Sequence, residues 1–318
     1  MTFRRLDRNP LITRDDIPDI PPHVIDPSSV FNPGVVKTDD GVRFLLRVQT
    51  RGRRTFLVPA RSEDGIDIEV ADFVADVDGL DAVGEEVFHL YDARLSVIDG
   101  QGYAVFAADV PGACRLVTAK TDDFERFEVI GVDANEDLRN GVLFPEKVGG
   151  RYLRLDRPNE VDLPGQPGSG HRIRLSESDD AATWKPVGPV MAGRWHYFDE
   201  LIGAGPPPLR TDAGWLLVYH GIATHFASSN IYQAGVALLD LCDPTKVIAR
   251  GIDNVLEPRE PWELTGQVPN VVFPTGLVAM EGEGRETRVL LYYGAADTVV
   301  GVAESTIGAL IDAAVEGG

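Results

Sequence analysis

ARLSVIDGQGYAVFAADVPGACRLVTAKTDDF, residues 93–124, is the stretch on which the fold is decided. Three short apolar runs, ARLSVID, YAVFAAD and CRLVTAKT, are separated by Asp99-Gly100 and Pro111-Gly112, residue pairs suited to tight turns. Runs of this length divided by such turns read as an antiparallel meander, and the polar TDDF closes the unit. Related units lie to either side. VRFLLRV (42–48) runs with TFLVPARS (55–62), and VLFPEKV (142–148) with YLRLDRP (152–158) and HRIRLSES (171–178). GWLLVYHG (214–221) runs with QAGVALLD (233–240), and VVFPTGLVAM (271–280) with RVLLYYGAAD (288–297) and VVGVAES (299–305).

The units begin near Asn32, Asp92, Asn140, Gly205 and Asn270, spacings of 48–65 residues that suit four-stranded blades with some long loops. The expected fold is therefore all-β, a five-bladed β-propeller forming one domain over residues 1–318. A two-domain β-sandwich is the competing arrangement. Residues 1–30 read as an irregular segment wrapping the propeller and helping to close it. Within 304–318, helical spacing of Ile307, Leu310, Ile311 and Ala314 behind Ser305 or Thr306 predicts a short C-terminal helix.

Composition narrows the function. With 30 Lys+Arg against 50 Asp+Glu, the net charge of −20 argues against nucleic acid and anionic membranes as partners. Cys114 and Cys242 are too few and too distant for a disulfide framework or a zinc site, and are expected to be reduced and buried. No metal or organic cofactor is expected, because the six histidines are dispersed. The N-terminus lacks the apolar run of a signal peptide, so a cytoplasmic location is expected. A homo-oligomer is left open.

Polar residues at the starts of innermost blade strands converge on the propeller axis. Asn32, Arg47, Asp92, Arg94, Arg139, Asn140, Glu146, Arg157, Glu200, His220, Tyr293 and Asp297 are the candidates. Tyr91-Asp92-Ala93-Arg94 sets a carboxylate between a phenol and a guanidinium, and a carboxyl group keeping its proton in a partly dry cavity can act as general acid toward a glycosidic oxygen. Tyr91, Arg94 and Tyr293 are expected to touch substrate. Arg139, Asn140, Arg157 and His220 form an anion clamp, since guanidinium forks grip phosphate oxygens bidentately. Glu200, with Asp199 and Glu160 behind it, is the second carboxylate that an inverting hydrolase would use to activate water. Trp195, Tyr197, Phe198, Trp215, Phe226, Tyr232 and Trp262 offer faces for sugar rings, although most such aromatics pack cores. Singly, each charged residue is an ordinary salt-bridge partner, and only convergence makes a site.

SVFNPG, LLRV, YDARLS, RNGVLFPEK, RLDRPN, IGAGPPPLRTDAGWLLVYHG, IYQAGVALLDLCDPTKVI, GQVPNVVFPTG and YYGAAD, in order from about Asn9 to Ala303, closely resemble glycoside hydrolase family 130. The resemblance implies a five-bladed propeller acting on β-mannosides, mostly by inverting phosphorolysis. It further implies Asp92 as general acid, Asn32, Arg47 and Asp297 holding the mannosyl unit, and Arg139, Asn140, Arg157 and His220 holding inorganic phosphate as co-substrate. Family phosphorylases commonly carry Lys immediately before the IG of IGxG; here Leu201 stands there, preceded by Glu200. The expected activity is an inverting β-mannoside phosphorylase that releases α-mannose 1-phosphate from β-mannosyl oligosaccharides. The alternative is an inverting β-mannosidase with Glu200 as base, and a third reading is a non-catalytic glycan-binding propeller.

Overall fold

A computed structural model describes residues 2–159, 170–225 and 229–316. Glu160 and Phe226 lie outside the described residues. The strands form five sheets in chain order, the blades of a propeller, antiparallel except where Asp76–Asp78 pairs in parallel with Arg126–Val132 at the edge of the second. Their innermost strands are Ser29–Thr38, His89–Ile98, Leu138–Leu143, Leu201–Ala204 and Val272–Ala279. Four of these contain the expected starting residue or begin close behind it. The fourth blade differs, because its innermost strand LIGA ends just before Gly205, where the unit was expected to begin.

The same irregularity recurs in the innermost strands. Pairing with the second strand slips between Phe31 and Gly34, between Tyr91 and Arg94, between Arg139 and Val142, and between Pro274 and Gly276. The slipped residues include Asn32, Asp92 and Asn140, with φ of 46°, 50° and 51°. Asn and Asp tolerate this left-handed region better than other side chains, and a bulge built on one re-aims its side chain. The sequence thus spends polar residues where the strand must kink at the channel mouth.

Apolar layers fill the spaces between neighbouring blades. Leu45, Leu95 and Phe106 meet between blades 1 and 2, and Phe144, Leu155 and Trp215 between blades 3 and 4. The ring closes through the N-terminus: Arg4–Arg5 pairs antiparallel with Ala303–Glu304 as the outer strand of blade 5, and Phe3 is buried between blades 4 and 5. The helix Ile307–Val315 starts at Thr306, whose Oγ1 accepts from the Ala309 N–H, and buries Leu310, Ile311 and Ala314. Cys114 is buried, whereas Cys242 lies exposed in the turn after Ile231–Leu239 because its backbone N–H is tied into an Asp240 turn. No helix among the described residues is long and apolar enough to cross a membrane.

Candidate active site

A cavity of about 340 Å³ opens at the end of the propeller where the innermost strands begin, and all five blades contribute to it. Roomier grooves of about 500 Å³ on the outer edges of blades 1 and 2 are lined by charges already satisfied, Arg43 by Asp40 and Arg61 by Glu69. The axial cavity is different, because its polar groups are only partly satisfied.

On one side, Asp92 Oδ1 accepts from Asn32 Nδ2 at 2.9 Å and from an Arg47 NH group at 2.8 Å. Arg47 cannot swing away: its guanidinium lies between the rings of Phe31 and Tyr91, 4.5 and 4.6 Å from their centroids. Tyr91 is held in turn by donating its hydroxyl to Asp109 at 2.8 Å. Asp297, at φ 50° in the turn after the second strand of blade 5, completes this side. Burial, opposed by Arg47 but reinforced by the charge of Asp92, raises its carboxyl pKa to about 6.

Across the cavity, Arg139 and Arg157 are register partners on adjacent strands of blade 3. Among the described residues no carboxylate lies within ion-pair distance of either, and both Nε atoms are buried without a hydrogen bond. Burial and the neighbouring Arg139 charge lower the pKa of Arg157. His220 sits fully buried behind them, its ring 4.6 Å from that of Phe273. Burial first, then the charges of Arg157 and Arg94, push the imidazole pKa well below its usual value, so it is neutral at pH 7. The Ala204 backbone comes near the ring, but neither ring nitrogen has a partner in hydrogen-bond geometry, and the buried Asn140 Oδ1 has none either. Two cations with no carboxylate in reach among the described residues, beside a neutral imidazole that can donate one N–H, have the chemistry to receive an anion.

The family assignment follows from comparison. From residue 4 to residue 316 the chain matches the family model described as beta-1,4-mannooligosaccharide phosphorylase. The chain belongs to glycoside hydrolase family 130. A 1,2-beta-oligomannan phosphorylase of Thermoanaerobacter sp. (strain X514) is 35% identical over 228 residues, 69% of each chain. A beta-1,4-mannooligosaccharide phosphorylase of Ruminococcus albus is 30% identical over 97% of this chain and 89% of its own. The solved structure of a beta-1,2-mannobiose phosphorylase from Listeria innocua, in complex with beta-1,2-mannobiose, superposes with a TM-score of 0.84 at 25% identity, covering 99% of both chains. This family 130 chain is accordingly an enzyme of glycosyl transfer.

Of the residues expected at the site, Asn32, Arg47, Tyr91, Asp92, Arg139, Asn140, Arg157 and Asp297 line the cavity, and His220 backs it. Arg94 is buried behind Asp92, donating to the carbonyls of Asp92 and Gly205, both at 2.8 Å. Burial lowers its pKa to about 10 against the opposing charge of Asp92. Tyr293 is sealed between blades 4 and 5, where its hydroxyl donates to Glu263 at 2.8 Å. Alternation along the strand explains this, because the neighbouring Gly294 is the position that faces Asn32.

Glu200 does not line the cavity. Its carboxylate accepts from the His196 N–H at 3.1 Å and from the N–H and hydroxyl of Thr224, stapling two loops together. Burial works against its charge, but these bonds outweigh burial and lower its pKa. Asp199 is fully buried among Arg194, Arg250 and Tyr219, and Glu146 pairs with Arg210 on the surface. Trp215 packs core and Trp195 is exposed, whereas Tyr232 lines the cavity. Sequence reasoning missed Asp109 and Phe273 in the lining. Asp109 lies on the same strand face as Ala107, the cross-strand partner of Tyr91, so the end of the second strand in each blade was the usable signal.

Proposed function

We propose that this enzyme is an inverting β-mannoside phosphorylase. The observation that carries the reading is the couple Arg139 and Arg157 at the cavity wall, neither with a carboxylate in reach among the described residues. Two like charges side by side without a carboxylate are costly in an empty site, and a phosphate dianion would convert that cost into binding. A chain of net charge −20 repels phosphate at long range, so a local cation cluster is what phosphorolysis requires. The names of the relatives support the same reading.

In this mechanism the mannosyl unit lies between Asn32, Arg47 and Asp297, with phosphate on the opposite face against Arg139, Asn140, Arg157 and His220. A phosphate oxygen attacks the anomeric carbon while the glycosidic C–O bond breaks, and the departing oxygen takes the proton of Asp92. Oδ1 of Asp92 is occupied by Asn32 and Arg47, which leaves Oδ2 to carry that proton. The products are α-mannose 1-phosphate and a shortened acceptor, with Asp92 left ionised. The Arg47 pair then stabilises that carboxylate.

The test is a time course with β-1,2- and β-1,4-mannobiose, with and without inorganic phosphate. Saturable acceleration by phosphate and formation of mannose 1-phosphate are expected, and Asp92→Asn should lower turnover ~10²–10⁴-fold. Free mannose formed at a phosphate-independent rate would establish the hydrolase instead.

A further inference from the structure

Gly203 lies on the innermost strand of blade 4, opposite His220 in register. It is absent from the positive-φ glycines, so its backbone is open to any L-residue, and conformational freedom does not explain a glycine there. Its surroundings do. A Cβ built on Gly203 would fall 2.6 Å from His220 Nε2 and 2.7 Å from Asn140 Oδ1, with the imidazole Cε1 closer still. Two unpartnered polar groups of the anion side, one from blade 3 and one from blade 4, therefore meet in the space that a methyl group would fill. We propose that Gly203 is a positioning residue for anion binding: its missing side chain is the space in which His220 and Asn140 are held facing the arginine pair.

The molecule carries an internal control. On the sugar side, Gly294 of blade 5 also has ordinary φ, and a Cβ there would fall 2.9 Å from the Asn32 backbone nitrogen and closer to its Oδ1. Asn32 donates to Asp92, so crowding at Gly294 acts on the carboxyl group and not on the arginines. Asn32 and Asn140, both at positive φ, thus each rest on a bare glycine of a neighbouring blade.

This inference rests on the phosphate reading of the site. The experiment titrates inorganic phosphate calorimetrically into wild type, Gly203→Ala, His220→Ala, the Gly203→Ala/His220→Ala double variant and Gly294→Ala, and measures mannobiose kinetics alongside. Gly203→Ala should weaken phosphate at least ~10-fold with the mannoside KM nearly unchanged, and Gly294→Ala should lower kcat with phosphate affinity retained. If Gly203 acts through the ring, its loss and that of His220 overlap, and the double variant binds phosphate about as His220→Ala does. Should Gly203→Ala misfold, folding of the double variant would itself locate the conflict at the ring. Normal phosphate affinity in Gly203→Ala, or fully additive losses, overturns the positioning role. Wild type that binds no phosphate overturns instead the phosphate reading beneath it.

Discussion

Two arginines three residues apart on the strand Tyr152–Pro158 meet opposite fates. Arg154 is fully buried and paired with carboxylates: it reaches Asp133 at 2.7 Å and Asp156 at 3.3 Å, and its guanidinium lies 4.5 Å from the Trp184 ring centroid, although its Nε, like that of Arg157, has no hydrogen bond. Arg174 and Ser176 also bond to Asp156, so the charges of this group are matched within the blade. Arg157, on the opposite face of the same strand, has no carboxylate within ion-pair distance among the described residues and another arginine for a neighbour. This blade therefore has the means to pair a buried guanidinium, and among the described residues it leaves Arg139 and Arg157, where the channel opens, without a carboxylate. The difference separates charge that builds the fold from charge that awaits a ligand.

The most disruptive way to test the contrast is to truncate the paired member. Arg154→Ala takes from Asp133 its cation and from Asp156 one of two, Arg174 remaining, and should cost about 3 kcal/mol in denaturant unfolding. A loss under about 1 kcal/mol would mean that the network contributes little to stability. Arg157→Ala should do the reverse. Stability should hold within about 1 kcal/mol, since the change relieves repulsion with Arg139, while phosphate affinity should fall by about 2 kcal/mol or more, roughly 30-fold. Equal phosphate titrations for this variant and wild type would erase the distinction between the arginines.

A third test uses pH. Asp297 has a folded-state pKa raised to about 6, above the ordinary unfolded value, so the native state holds its proton more tightly. Its stabilising contribution is full below about pH 4 and is lost as pH rises through 6. Asp297→Asn should therefore raise stability at pH 7.5 by about 2 kcal/mol and leave it unchanged near pH 4, while removing an arm near pH 6 from the kcat/KM profile. A variant equally stable at both pH values would show that Asp297 is not strained by burial.

The smallest effect is expected at Leu201. It shares a strand face with Gly203, two residues closer to the mouth, and its Cβ lies beside Gly170, which also adjoins Arg157. Leu201→Lys should lower the phosphate concentration for half-maximal rate several-fold, about 1 kcal/mol for one added charge-assisted bond. No change would show that the anion side is complete with its arginines.

How far the sequence revealed this molecule depended on how local each signal was. The meander at 93–124 announces itself through turns and apolar runs, and its five-fold recurrence leads to the propeller. The strand Leu201–Ala204 escaped because four residues, one of them Gly203, followed by Gly205 and three prolines, carry no strand pattern of their own. Arg4–Arg5 becomes a strand only through its partner some 300 residues away. At the site, position along a strand was legible but direction was not. Asp92 and Arg139 were placed in the cavity wall from the starts of their strands, whereas Tyr293 turns inward because its neighbour faces the channel. Glu200 is drawn to Thr224 and His196, on a loop that no periodicity describes.

The strand Arg4–Arg5 also sets a clock. A strand made early finds its place late, since Ala303 and Glu304 must emerge before it can pair. At ~5–20 residues per second the wait is roughly 15–60 s, during which the outer edge of blade 5 does not exist and the N-terminal arginines have no sheet to join. The cavity draws on all five blades, so it too comes into being only after Asp297 has emerged. Appearance of activity during synthesis should therefore report ring closure and not the folding of any single blade.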